Sequence, residues 1–183
     1  MNDIDILNRM IKDAAKIKAS EVYGKKAVTL IEEQTRDSKV EISGIPSNAI
    51  IIKIDSFPPP EHIFSCSKGE CKRADFAIIA ESKGKKRILY IEMKKTRHSE
   101  KEIISQFKGA ECVLAYCIQV AETFYNTDKF LSGYKPCFVA FYHTSIRKRN
   151  TRVSRKAPKH NRPERMMKIQ WPNKMQYSHL VGV

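Results

Sequence analysis

Two apolar runs separated by a short polar turn constrain the fold of this chain more than any other feature. The first run is ADFAIIAE (residues 74–81), the turn is SKGKK, and the second run is RILYIEMKK (residues 87–95). Runs rich in apolar and β-branched residues predict strands, and the short turn that contains glycine predicts an antiparallel hairpin. Glu92 and Lys94 stand inside the second run, where a buried strand would ordinarily have apolar residues.

The register of this hairpin predicts a cluster of charged side chains. A turn centred on Lys83 and Gly84 places Asp75 opposite Glu92, although a bulge at the turn would shift the pairing by one residue. Directly paired residues project to the same face, about 5 Å apart at Cβ. Lys94 shares that face because side chains alternate along a strand. The alternative is a Glu92–Lys94 pair that faces solvent on an edge strand, with Asp75 unrelated to it.

The predicted cluster has the chemistry of a magnesium site. Two close carboxylates repel each other, and a hard divalent cation relieves that repulsion. The backbone carbonyl of Met93 is a further candidate ligand beside Asp75 and Glu92. Such a cation activates water for attack on a phosphate, and Lys94 would orient or deprotonate that water or neutralise the developing charge. We therefore expect Mg²⁺, with Mn²⁺ as its substitute, and phosphodiester hydrolysis.

The remaining periodicities predict an α/β fold. Residues 3–33 have helical spacing and predict one long helix or two consecutive ones, and strands are expected at residues 48–57 and 136–143. Ser99 and Glu102 form a capping-box pattern. The apolar residues of the helix that follows are Ile103, Phe107, Ala110, Leu114, Cys117, Ala121 and Phe124. The αβββαβ order predicts a mixed central sheet flanked by helices, with the third and fourth strands parallel through a right-handed crossover.

The charge distribution divides the chain into a domain over residues 1–144 and a basic C-terminal extension over residues 145–183. The formal net charge is +14, and the extension holds eleven lysines and arginines against one acid, Glu164. Nucleic acid is the expected partner of such a protein. The alternatives are a solvated tail that keeps the protein soluble and a tail that docks an acidic protein. The basic residues expected at the nucleic acid are Lys95, Arg147, Lys148, Arg149, Arg152, Arg155 and Lys156.

The motif ADF followed by IEMKK, in this order of elements, resembles the PD-(D/E)XK nuclease superfamily with its restriction-endonuclease-like fold. Residues 72–96 are most similar to archaeal-type Holliday-junction resolvases. The resemblance implies an Mg²⁺-dependent endodeoxyribonuclease in which Asp75, Glu92 and the Met93 carbonyl bind metal and Lys94 is the catalytic lysine. It also implies a possible homodimer. The alternative is a catalytically degenerate nuclease fold that binds DNA or RNA without cutting it.

Two departures from the family pattern concern this site. Many members carry a further metal-binding glutamate on the first helix, where this chain has Val28. Glu32 is the favoured substitute, ahead of Glu21 and Glu33. The second helix has Gln106 of a QxxxY signature but alanine at the tyrosine position, so Gln106 alone is expected to face a phosphate.

The other features predict location and minor sites. The mixed polar and apolar N-terminus, with no run long enough to cross a membrane, predicts a cytoplasmic or nucleoid-associated protein. The five cysteines are accordingly expected to be free thiols. His62, Cys66 and Cys71 form only a weak zinc pattern. Trp171 and Tyr177 stand among basic residues and are candidates for stacking on bases, although packing on the domain is the more usual role.

Overall fold

The computed structural model describes residues 2–31, 38–94, 99–142, 159–170 and 173–182. These residues form two β-sheets and the helices that cover them. The helices are α1 (Asp3–Met10), α2 (Glu100–Phe124) and α3 (Tyr177–Leu180). The strands are β1 (Ser20–Val22), β2 (Lys25–Ile31), β3 (Lys39–Ile45), β4 (Asn48–Lys53), β5 (Phe76–Ser82), β6 (Lys85–Lys94), β7 (Lys135–Tyr142), β8 (Met167–Gln170) and β9 (Lys174–Gln176).

The larger sheet has five strands in the order β4-β5-β6-β7-β8. The β4–β5 and β5–β6 pairs are antiparallel, whereas the β6–β7 and β7–β8 pairs are parallel. The smaller sheet has the order β1-β2-β3-β9. The predicted mixed sheet and the parallel pairing of β6 with β7 are therefore confirmed. Three strands, β1 to β3, stand between α1 and β4, where the predicted order had none.

The hairpin register predicted from the sequence is confirmed. Phe76 pairs with Ile91, and the same register continues to the turn. Lys83 and Gly84 both have positive φ, +49° and +73°. This is the conformation that two-residue hairpin turns require, because it matches the right-handed twist of the strands.

Helices α1 and α2 cover one face of the five-stranded sheet. Ile79, Tyr90 and Phe138 face α1 and α2 in one apolar cluster. Ile78, Leu89 and other residues of the opposite face pack against β2, β3 and α3 in a second cluster. Helices α1 and α2 thus flank the predicted mixed sheet on one face, whereas the smaller sheet and α3, which the prediction did not include, cover the other.

The helical prediction for residues 3–33 is correct only at its start. Asn2 caps α1 by accepting the N–H of Asp5, and the helix ends at Met10. Strands follow: Tyr23 and Gly24, both with positive φ, form the turn between β1 and β2. Along β2 the side chains alternate between buried and exposed from Val28 onwards. Over so few residues, Ala27, Leu30 and Ile31 also fit a helical spacing, which is why the sequence pattern favours a helix here.

Helix α2 follows the prediction closely. The Oγ atom of Ser99 accepts the N–H of Glu102 at 3.2 Å. The predicted inner face is buried as far as Ala121. Phe124, the last residue of the helix, is an exception, with 75% of its surface exposed. Within the described ranges, no helix has the length and apolar character needed to cross a membrane.

The described part of the predicted C-terminal extension contributes to both sheets. Strand β8 pairs with β7 in the larger sheet, and β9 pairs with β3 in the smaller one. Tyr177, Leu180 and Val181 are buried in the second apolar cluster. The burial of Tyr177 removes it as a base-stacking residue; Trp171 lies outside the described residues.

Candidate metal and nucleic-acid site

The predicted charged cluster lies at the carboxyl end of β6. Glu92 and Lys94 are on the helix-facing side of the strand, since Tyr90 two residues earlier packs in the helix-side cluster. Asp75 directly precedes β5, and its backbone carbonyl accepts the N–H of Ile54 at 2.8 Å. That bond fixes the start of β5 against the end of β4, which Ile54 directly follows. The hairpin thus holds all three residues at one end of the sheet.

Two contacts define the cluster. The Asp75 carboxylate accepts the backbone N–H of Met93, with a distance of 2.6 Å between Oδ2 and N. The Lys94 ammonium forms an ion pair with the Glu92 carboxylate. The Glu92 side chain is fully buried, and that of Lys94 is only 12% exposed. A carboxylate so far from water requires such a partner, because burying an unpaired charge is costly.

These residues fit a small magnesium site. A strand residue directs its N–H and C=O towards the same neighbouring strand. The Met93 carbonyl therefore faces the side on which Asp75 lies. Mg²⁺ binds through one or two carboxylates and keeps several waters. Asp75, Glu92 and the Met93 carbonyl supply these ligand types, and a cation that uses Glu92 must share or displace the Lys94 ammonium.

A larger acidic site is not found in the described part of the chain. Within these ranges, no group of three or more His, Cys, Asp or Glu side chains is placed to hold a metal ion. Val28 is buried in β2, and Glu21 is exposed in β1 rather than on a helix. The favoured third acid, Glu32, and Glu33 lie outside the described residues.

Most of the other predicted nucleic-acid contacts lie outside the described residues. Gln106 is partly buried on α2, and among the described residues its Oε1 atom is buried without a hydrogen-bond partner. The predicted basic contacts outside the described residues are Lys95, Arg147, Lys148, Arg149, Arg152, Arg155 and Lys156.

Sequence reasoning missed the residues beside the cluster on β7 and β8. Lys94 pairs in register with Tyr142, and Tyr142 pairs with Gln170. Glu92 pairs with Ala140, and Ala140 pairs with Lys168. Burial raises the pKa of Tyr142, and the nearby Glu100 and Glu92 carboxylates raise it further. Only the parallel pairing of β7 with β8 brings Lys168 here, and no local pattern signals that pairing.

The loop before Asp75 contains the one cysteine pair that contradicts the sequence prediction. Cys66 and Cys71 form a disulfide, so they are neither free thiols nor zinc ligands. Cys112, Cys117 and Cys137 are free, as expected. The same loop is anchored to α2, where the Lys72 ammonium lies 3.0 Å from Glu102.

Comparison of the chain with protein-family models, with curated proteins and with solved structures finds no match in any of the three.

Proposed function

We propose that the protein is a metal-dependent endonuclease that hydrolyses phosphodiester bonds in DNA. The observation that carries the proposal is the buried Glu92–Lys94 pair beside Asp75 at the carboxyl end of β6. Ligands of open α/β sheets bind beyond the carboxyl ends of parallel strands. The net charge of +14 supports a polyanionic substrate.

Each residue has a distinct role in this proposal. Asp75, Glu92 and the Met93 carbonyl would hold Mg²⁺, which when bound supplies an activated water and stabilises charge on the phosphate. The Met93 N–H fixes the Asp75 carboxylate, so one carboxylate oxygen is oriented before any ligand arrives. Lys94 places a positive charge where the phosphate becomes more negative during attack.

The decisive experiment is a cleavage assay over duplex, single-stranded and branched DNA and over RNA, with Mg²⁺ and with Mn²⁺. We expect DNA cleavage that chelation abolishes. Lys94→Ala should lose at least about 100-fold in rate while it retains DNA binding. Lys174→Ala is the matched control, since Lys174 also pairs with a glutamate but lies in the smaller sheet. A wild-type protein that is inert on every substrate would refute the proposal.

A second function is a nucleic-acid-binding protein that has lost catalysis. It is favoured by the absence of a third acidic ligand in the described part of the chain. This function requires salt-sensitive nucleic-acid affinity that does not depend on metal. Calorimetric Mn²⁺ binding that is present in the wild type and lost in Asp75→Ala would count against it.

A further inference from the structure

We propose that Tyr142, the last residue of β7, and Lys168, on the adjacent strand β8, form a phosphate-binding subsite. This subsite holds a backbone phosphate of the nucleic acid next to the Asp75–Glu92–Lys94 cluster. The inference rests on the proposed nucleic-acid function. It identifies which part of the described surface contacts the strand beyond the reacting phosphate.

The register of the three parallel strands places both residues on the face of the cluster. Phe138 and Ala140 belong to the helix-side cluster, so Tyr142 points the same way. Ile169 belongs to the opposite cluster, which leaves Lys168 on the helix side. The contact of Lys168 with Glu100 at the start of α2, with 2.6 Å between Nζ and Oε2, confirms that its side chain lies on the helix side.

The spacing suits a second phosphate rather than the reacting one. Strand β8 is two strands from β6, which corresponds to about 9.5 Å. A lysine that far from the cluster would contact a neighbouring phosphate of the strand rather than the reacting one. The small Ala140 lies between Glu92 and Lys168 in the register, so no large side chain on β7 separates them in that row.

Both side chains are available as donors. The Lys168 side chain is 44% exposed and its partner Glu100 is 53% exposed. An ion pair this exposed contributes little to stability, so a phosphate can replace Glu100. A tyrosine hydroxyl carries its proton at neutral pH, and Tyr142 packs at the edge of the helix-side cluster. A neutral hydroxyl donates a hydrogen bond to a phosphate oxygen.

The test measures binding of a fluorescent oligonucleotide in EDTA over a series of salt concentrations, so it does not depend on cleavage. For Lys168→Ala we expect affinity about 3- to 10-fold weaker at low salt, and a slope of log K against log salt that is smaller by about one. Lys174→Ala, the control, should change neither quantity.

The acidic partners of the two lysines give a matched second pair. Glu100→Gln should tighten binding, because it releases Lys168 and removes a negative charge from the subsite. Glu41→Gln, which releases Lys174 in the smaller sheet, should not. Tyr142→Phe should weaken binding about 2- to 5-fold through the lost hydrogen bond. Tyr134→Phe is its control, since Tyr134 directly precedes β7 at the opposite end of the strand.

Three results would overturn the subsite. The first is wild-type affinity and salt slope in Lys168→Ala. The second is an equal loss in Lys168→Ala and Lys174→Ala, which would mean that binding follows total charge. A wild-type protein that binds no oligonucleotide would remove the subsite and the proposed function together. In the first two cases the proposed function survives wherever the wild type still cleaves.

Discussion

At the residue scale, the buried pair of Glu92 and Lys94 has a cost for stability as well as a proposed use. Lys94→Met removes the paired cation from a fully buried carboxylate. Breaking such a pair destabilises a protein by about 3–5 kcal/mol. We expect a loss of this size in the free energy of unfolding, measured with urea. The double variant Glu92→Gln/Lys94→Met should recover most of it, because it leaves no buried charge.

The double-mutant cycle separates this pairing from simple packing. The cycle compares the losses in free energy of unfolding of Glu92→Gln, of Lys94→Met and of the double variant. If the loss of the double variant equals the sum of the two single losses, Glu92 and Lys94 do not interact, which would contradict their ion pair. Asp75→Asn is a useful third variant, since it removes a carboxylate without touching the ion pair. It should still accept the Met93 N–H through its amide oxygen.

At Gly109, helix α2 packs too closely against a neighbouring loop to leave room for a side chain. A Cβ atom there would lie 1.6 Å from the backbone oxygen of Lys72, in the loop that leads to Asp75. Alanine ordinarily stabilises a helix by about 1 kcal/mol relative to glycine. We expect the opposite for Gly109→Ala, a loss of about 3 kcal/mol, because the loop must move away from the helix.

Two measurements test the clash at Gly109. Urea unfolding gives the loss of stability, and Cys112→Ala on the exposed side of the same helix is the control that should change it little. Mn²⁺ affinity should also fall in Gly109→Ala, since the displaced loop carries Asp75. An unchanged midpoint would show that the loop does not rest on the helix.

The residue-scale contacts divide into those that the sequence could predict and those that it could not. The pairing across the β5–β6 hairpin was predictable because the turn at Lys83 and Gly84 fixes the register locally. The hydrogen bond from the Met93 N–H to Asp75 depends on the backbone conformation at Asp75, just before β5 begins. The alternation of apolar and polar residues in the sequence does not specify that conformation. The position of Lys168 is harder to predict, since only the long-range pairing of β7 with β8 places it on the face of the cluster.

At the element scale, the three free thiols of helix α2 and strand β7 differ in their exposure to solvent. Cys112 is exposed, whereas Cys117 is buried against the sheet and Cys137 lies within it. Burial raises the pKa of Cys117 and of Cys137 to about 11. The thiolate is the reactive form, so at pH 8 we expect one fast-reacting thiol in the native protein. Cys112→Ser should abolish that fast phase.

The same reagent counts the thiols after unfolding and tests the disulfide. Without reductant, unfolded protein should release three reactive thiols, because Cys66 and Cys71 are bonded to each other. After reduction it should release five. Five thiols before reduction would restore the expectation from the sequence that every cysteine is free.

Elements were predictable where their period was sustained and ambiguous where it was short. Helix α2 repeats its apolar positions over six turns and has a cap at Ser99, so its existence and orientation were clear. Strand β2 has seven residues, and its Ala27, Leu30 and Ile31 fit part of a helical stripe while its Val28 and Leu30 fit a strand. Only the positive φ of Gly24, together with pairing to β3, decides for the strand.

At the scale of the whole molecule, the last strands and helix of the chain, β8, β9 and α3, belong to the two sheets and their apolar core. Six basic residues precede them in the sequence, at positions 147–156. Removing residues 159–183 would take β8 and β9 out of the two sheets, along with the buried Leu180 and Val181. We expect that truncation to abolish cooperative unfolding in urea. The loss of nucleic-acid affinity in the truncated protein would then report only misfolding, so the basic arm needs a different test.

Neutralising charge without removing chain provides that test. Replacing the six basic residues at positions 147–156 by glutamine leaves β8, β9 and α3 intact, so we expect a wild-type melting temperature. Affinity for an oligonucleotide should fall at least about 100-fold at low salt, with a salt slope smaller by several units, because up to six phosphate contacts are lost. A control with the same net charge carries glutamine at six exposed lysines elsewhere: Lys12, Lys18, Lys25, Lys83, Lys85 and Lys129. Equal losses in the two variants would mean that total charge governs binding and that the predicted arm has no special role.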